Sequence, residues 1–195
     1  KNIYDTYLDA LKPAFEDRPF NLAEENLQAR SRAVLLMAIS NKLGYILINT
    51  SNKSELSVGY STLYGDLCGA LSPLGDVYKN QVYALARFIN RWGEIIPNHI
   101  IQKAPSAELR PGQKDADSLP AYDVLDELLK HYIEEQKGVD ELITMGYDQT
   151  TVYKIIDLVN ASEYKRYQAP PILRVSSKSF GKGRIMPLVA NYSSK

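Results

Sequence analysis

The chain has 195 residues, 23 lysines and arginines against 23 aspartates and glutamates, and one cysteine. That length suffices for one ordinary domain with its own core, and a formal net charge of zero gives no footing for a polyanionic partner such as nucleic acid. No apolar run approaches the roughly 20 residues of a membrane helix, no basic head with an apolar signal core opens the sequence, and the single Cys68 excludes an internal disulfide framework and fits a reducing compartment, so a cytoplasmic protein without a membrane partner is expected.

Tyr7, Leu8, Leu11 and Phe15 recur three and four apart, which predicts an amphipathic helix over about 5–15, bent or shortened by Pro13. Asn21 followed by Glu24 has the form of a capping box and opens a second helix, which runs to about Leu43 and stops at Gly44, a suitable left-handed terminator. Leu27, Val34, Leu35, Ala38 and Ile39 form its expected apolar face, and Asn26, Arg30 and Arg32 lie in its early turns, where arginines are ordinarily solvated. The continuous apolar run Tyr45-Ile46-Leu47-Ile48-Asn49 predicts a strand buried on both faces, the habit of parallel sheets covered by helices. Ligands of such sheets bind beyond the carboxyl ends of the strands, and Thr50, Asn52, Lys53 and Glu55 follow there. Residues 52–59 are expected to form a short helix whose free N–H groups suit an anion. The same residue types also make ordinary capping turns, so the local pattern leaves both readings open.

Asp76 is placed to cap a helix carrying Val82, Tyr83, Leu85, Ala86, Phe88 and Ile89 and closing at Gly93. Lys79 then sits in its first turn, against the macrodipole; a bound phosphate would reverse that sign, but a penalty of only about 0.3–1 kcal/mol also allows a plain exposed lysine. Residues 97–119 are irregular and rich in proline and charge, and their Pro105-to-Gln113 core is expected to be a binding loop that orders over a ligand. Two further helices are expected, over 120–136 with Tyr122, Leu125, Leu128, Leu129, Tyr132 and Ile133 inward, and over 149–164 with Val152, Ile155, Ile156 and Val159 inward. The basic, glycine-interrupted tail 172–195 has no readable period. Cys68, His99 and His131 show neither metal-ligand nor triad spacing and are expected to be structural or surface residues. At least five helices stand against one strand, whose sheet neighbours must then come from a longer polypeptide. The fold class expected is therefore α/β, with residues 1–195 forming the C-terminal, mostly helical portion of a larger domain.

Five ordered motifs carry a resemblance to a known family: Asn26-Leu27-Gln28-Ala29-Arg30, Thr50-Ser51-Asn52-Lys53-Ser54-Glu55, the Val58-to-Asp66 stretch, Pro105-Ser106-Ala107-Glu108-Leu109-Arg110-Pro111-Gly112-Gln113, and Glu163-Tyr164-Lys165-Arg166. Together they closely resemble the synthetase domain of glutamine-dependent NAD synthetase, over about 21–188. The resemblance implies a doubly wound, Rossmann-like ATP pyrophosphatase fold and two-step chemistry: ATP adenylates the nicotinate carboxylate of deamido-NAD with release of pyrophosphate, and glutamine-derived ammonia displaces AMP. It implies that Thr50, Lys79 and Ser106 contact ATP, that Glu55 holds Mg2+ with phosphate oxygens, and that Asn26, Arg30 and Lys165 contact deamido-NAD. It also implies a homo-oligomer, with Arg30 on a helix near the subunit interface. Such chemistry concentrates negative charge, which cations and a metal ion offset.

The sequence departs from the family pattern in three places. The Ser-Gly-Gly-x-Asp-Ser pyrophosphate loop and the amidase domain are absent from these residues, so this chain alone is expected to be inactive. Leu63 and Ala70 stand where ammonia-using members carry a substrate-contacting Lys and Asp, whereas the Tyr60-to-Asp66 segment matches the glutamine-using branch. Two other readings stay open at this stage: an enzyme using the same adenylating fold on another acid, and a non-catalytic helical interaction module descended from a synthetase.

Overall fold

Leu125, Leu128, Leu129 and Ile133 recur at helical spacing and are fully buried, as are Leu142, Val152, Ile155 and Val159. They hold together α6 (Tyr122–Ile133), α7 (Val139–Thr144) and α8 (Gln149–Ala161), the last capped by the Asp148 carboxylate on the Thr151 amide at 2.8 Å. The computed structural model that shows this describes residues 1–16 and 18–189; the end of the basic tail lies outside the described residues. Leu56 and Val58 join the same core from α3 (Lys53–Val58), which packs on α6 and α8. The helices expected over 120–136 and 149–164 are present, although the second breaks at Ser162 and resumes as α9 (Glu163–Arg166).

The N-terminal part is a helical pair, α1 (Asn2–Phe15) against α2 (Leu22–Leu43), and Pro13 falls in the last turns of α1. The capping box forms: Asn21 Oδ1 accepts from the Ala23 amide at 2.8 Å, and Glu24 Oε2 accepts from the Asn21 amide at 2.8 Å. Gly44 ends α2 at φ 69°, as its position predicted. The inward face of α2 differs from the expected one. Ala29, Ser31, Ala33 and Ser40 are buried, while Val34, Leu35 and Ile39 are exposed. Small side chains let a loop approach closely here; a Cβ on Gly65 would lie 3.1 Å from that of Ala29.

The strand expected at 45–49 is also corrected. Among the described residues only isolated bridges occur: the parallel pairs Ile48 to Leu71 and Ser72 to Ile172, and an antiparallel pair, Gly181 to Arg184, in the tail. Asn49 donates to Leu71 O at 2.8 Å and Ser72 to Pro171 O at 2.8 Å, so three short segments lie side by side in parallel. Tyr45 and Ile46 remain 66% and 71% exposed, because no element among the described residues covers their side chains.

Asp76 does not cap the following helix. The N-cap of α4 (Lys79–Ile89) is Tyr78. Buried Asp76 instead accepts from the amides of Val175 and Ser176 at 2.8 and 2.7 Å and pairs with Lys53. The apolar residues Leu85, Phe88 and Ile89 of α4 are exposed, and a 3₁₀ turn (Asn90–Trp92) leads to Gly93 and α5 (Asn98–Gln102).

Candidate functional site

A cavity of about 550 Å³ opens between α2, the end of the 45–49 segment, α3, the first turn of α4 and the 105–115 loop. Asn26, Arg30, Thr50, Glu55, Lys79, Ser106 and Lys165 all line it. Seven side chains singled out in the sequence, from five separate stretches, thus meet at one place.

Glu55 is held by the start of α3. Asn52 caps that helix through Oδ1 on the Glu55 amide at 2.9 Å, and Glu55 Oε2 returns the bond to the Asn52 amide at 3.2 Å. Its other oxygen, Oε1, meets Lys79 Nζ at 3.1 Å. The Lys79 ammonium also lies 5.5 Å from the centre of the Tyr122 ring. Burial by itself lowers the pKa of Lys79, but the Glu55 carboxylate outweighs it and holds the ammonium above its ordinary value. The pair therefore offers one fixed cation and one carboxylate to whatever enters.

The other basic residues are engaged with the 59–63 loop. Lys165 Nζ donates to the carbonyls of Gly59 at 2.6 Å and Ser61 at 2.8 Å. Arg30 Nε donates to Leu63 O at 3.0 Å, and Asn26 Oδ1 accepts from Thr62 Oγ1 at 2.9 Å. Burial pushes the Lys165 pKa down, with Asp66 opposing. These three side chains build the wall formed by the loop as well as lining the cavity.

Ser106 begins a loop closed at its base by Asp115 N donating to Pro105 O at 3.0 Å. The loop tip docks on α2, where Gln28 reaches Leu109 O at 3.3 Å and Arg32 reaches Glu108 O at 3.2 Å. At its far end Tyr122 donates to Asp115 Oδ2 at 2.7 Å. Burial and the neighbouring Asp115 charge push the Tyr60 phenol up to about 12, so it stays protonated and a donor across the neutral range. The expected binding loop is therefore a strap from α6 to α2 across one side of the cavity.

Lys53 belongs elsewhere, although it lies in the same stretch as Thr50 and Glu55. It is fully buried and turned away, its ammonium bonded to Asp76 at 2.9 Å, Glu134 at 2.8 Å and Ser176 Oγ at 2.8 Å. Asp126 and Ser54 were not legible as contributors. Asp126 Oδ1 accepts from Ser54 Oγ at 2.5 Å and Oδ2 from the Asn80 amide at 2.8 Å, while Ser54 Oγ accepts from the Lys79 amide at 2.9 Å. The available signal was a carboxylate on the apolar stripe of α6, at helical spacing from Tyr122, Leu129 and Ile133, since an acidic residue is almost never buried unpaired.

One carboxylate of this cavity suits a hard cation. No group of three or more His, Cys, Asp or Glu side chains forms a metal cluster among the described residues. A single glutamate fits magnesium all the same, since that ion is commonly held by one or two carboxylates together with substrate phosphates.

Comparison with known proteins adds an independent line. A family model described as NAD synthase matches residues 1–169. A curated glutamine-dependent NAD(+) synthetase of Synechocystis sp. is 53% identical over 186 residues, 95% of this chain and 33% of that protein. A solved glutamine-dependent NAD+ synthetase of Acinetobacter baumannii, in complex with ADP, is 42% identical with a TM-score of 0.52 over 100% of this chain and 35% of its own. A glutamine-dependent NAD(+) synthetase of Cytophaga hutchinsonii, 24% identical, superposes with a TM-score of 0.76 over 97% of this chain and 33% of its own, and shows the fold. The chain thus spans about a third of the length of the curated relatives it matches. Its fold class is the one expected, a mostly helical portion of the ATP pyrophosphatase α/β fold.

Proposed function

The chain belongs to the NAD synthase family, and from that premise we propose that it supplies part of the ATP, magnesium and deamido-NAD sites of a ligase that amidates deamido-NAD to NAD. The observation that carries this reading is the convergence of Asn26, Arg30, Thr50, Glu55, Lys79, Ser106 and Lys165 on one cavity. ATP is the nucleotide the chemistry requires, and ADP is bound by the Acinetobacter baumannii relative.

Lys79 meets the triphosphate: its ammonium is charged, shielded on one side by the Tyr122 ring, and balanced by Glu55 until a phosphate takes that place. Thr50 and Ser106, both in the cavity lining, hold the nucleotide. Asn26, Arg30 and Lys165 shape the 59–63 loop and present the deamido-NAD surface, so binding and loop geometry are coupled through the same three side chains. Glu55 is the residue that would hold magnesium, which when bound offsets the charge developing on the phosphates. The nicotinate carboxylate attacks the α-phosphorus of ATP, the bond to pyrophosphate breaks, and ammonia then replaces AMP at the acyl carbon, leaving the amide and releasing one proton. The ammonia comes from glutamine in the complete protein, which is expected to self-associate through the exposed apolar side of α2 and to work in the cytoplasm. No helix among the described residues is long and apolar enough to cross a membrane.

The test is NAD formation by the full-length polypeptide carrying this chain, given ATP, magnesium, ammonia and deamido-NAD, beside a panel of other carboxylic acids. A marked loss of deamido-NAD turnover at subsaturating ATP, restored in part by raising ATP, is expected for Lys79→Met. Amidation of a different acid with deamido-NAD untouched would move the chain to another substrate, and absence of any nucleotide binding would leave only an interaction module.

A further inference from the structure

Glu55 and Lys79 pair directly in the lining of the cavity, but neither helix start alone explains why they are 3.1 Å apart. The N-cap residue of α4, Tyr78, places no side-chain acceptor on the first amides of the helix. Free amides at a helix start need acceptors from somewhere. Two of them are supplied from outside the helix: the Lys79 amide goes to Ser54 Oγ at 2.9 Å, and the Asn80 amide to Asp126 Oδ2 at 2.8 Å. The other oxygen of Asp126 accepts the Ser54 hydroxyl at 2.5 Å.

Both oxygens of one buried carboxylate are therefore spent on residues adjacent in sequence to the pair: Ser54 precedes Glu55, and Asn80 follows Lys79. Asp126 is 6% exposed and Ser54 fully buried, so water does not compete for these bonds. Tyr122, one turn earlier on the same helix, supplies the ring beside the Lys79 ammonium. A shift of Asp126 would move both walls of the cavity at once.

We infer that Asp126, with Ser54, is a positioning residue that sets the distance between Glu55 and Lys79 and so the placement of Lys79 against a bound triphosphate. The inference rests on the ATP role of Lys79 given above. Asp126 touches no substrate and acts only through the backbone of α4 and the side chain of Ser54.

A double-mutant cycle on the full-length polypeptide separates this from a general loss of stability, because residues acting through one another are not additive. Lys79→Met is expected to raise the KM for ATP tenfold or more, and Asp126→Ala to raise it by a similar factor with a smaller change in kcat. In the Lys79→Met background, Asp126→Ala is expected to add less than twofold. Equal losses from Asp126→Ala in both backgrounds would overturn the inference. Hydrogen exchange in residues 79–82 is read in parallel on the same variants: it must accelerate in Asp126→Ala, and unchanged exchange there overturns the inference whatever the kinetics. Should Asp126→Ala fail to fold, Ser54→Ala removes only the hydroxyl link and runs through the same cycle with the same expectation. If Lys79→Met leaves the KM for ATP unchanged, it is the nucleotide role of Lys79 that fails; the clamp on α4 is then judged by the exchange measurement alone.

Discussion

Lys53 and Asp76 form an ion pair at 2.9 Å in which both side chains are wholly removed from solvent. The lysine also meets Glu134 at 2.8 Å, Ser176 Oγ at 2.8 Å and the carbonyl of Lys178 at 3.0 Å. One ammonium thus joins the start of α3, the approach to α4, the end of α6 and the 175–178 segment. Lys53 is two residues from Glu55, and this network anchors the helix that presents Glu55 to the cavity.

Lys53→Met keeps much of the volume and leaves two acidic groups without their cation. Breaking a buried pair from one side costs about 3–5 kcal/mol. Denaturant unfolding is expected to show a loss of that order, and a loss below about 1 kcal/mol would assign the stability of this region elsewhere.

Acid should act through the same network. Burial raises the Asp76 pKa, but the Ser176 amide, Lys53 and the Val175 amide together outweigh it and hold the carboxyl below its ordinary 3.8. A depressed folded pKa means that the unfolded chain takes up the proton first, so the stabilisation is complete above the unfolded value and is lost as pH falls through the folded one. Stability measured from pH 7 downward is expected to drop steeply below about pH 4, and Asp76→Asn, already destabilised at neutral pH, is expected to show a shallower acid dependence.

Gly59 terminates α3 at φ 67°, and a Cβ there would lie 2.2 Å from Ser162 Oγ and 2.8 Å from Ser162 Cβ. Gly59→Ala combines a left-handed backbone, costing about 1–2 kcal/mol, with a clash against the junction of α8 and α9. A destabilisation of at least about 2 kcal/mol is expected in thermal melting. Gly59→Ala/Ser162→Gly should recover the part due to the clash and leave the backbone part.

Glu55→Gln preserves size and hydrogen bonding and removes one charge. If the side chain only closes a capping box, pyrophosphate release by the full-length protein changes little. If it holds magnesium, loss of about 3 kcal/mol would slow the reaction a hundredfold or more, at tenfold per 1.36 kcal/mol, and shift the magnesium titration to higher concentration. Near-normal turnover with unchanged magnesium dependence, in protein shown to be folded by melting, returns Glu55 to the capping role.

Val34, Leu35, Leu36 and Ile39 form an exposed apolar surface on α2, the helix that carries Asn26 and Arg30. Leu35→Glu is expected to weaken self-association of the full-length protein in light scattering. An unaltered molar mass that stays monomeric in both proteins would leave α2 without an interface role.

What the sequence determined by itself was local or periodic. Asn21 with Glu24, Gly44 at the end of α2, and the leucine and valine spacings of α6 and α8 act within a turn or two of the residues they govern, and each takes the predicted form. The cavity residues were legible only because ordered motifs carried a resemblance; spacing alone left Glu55 and Lys79 undecided between a site and a capping turn. The tertiary structure decided everything that depends on partners far along the chain. Asp76 looked like a helix cap because helix caps are aspartates, but two amides and a buried ammonium hold it more strongly than one helix start would. Lys53 looked like part of the site and is the centre of the interior network. The 45–49 run looked doubly buried because its composition is that of a central strand, whereas burial belongs to the surfaces that cover its faces, and among the described residues Tyr45, Ile46 and Ile48 are left exposed. Asp126 showed in the sequence only as a carboxylate on an apolar stripe: its meaning lies in Ser54 and Asn80, dozens of residues away, and only packing of α3, α4 and α6 brings those three together.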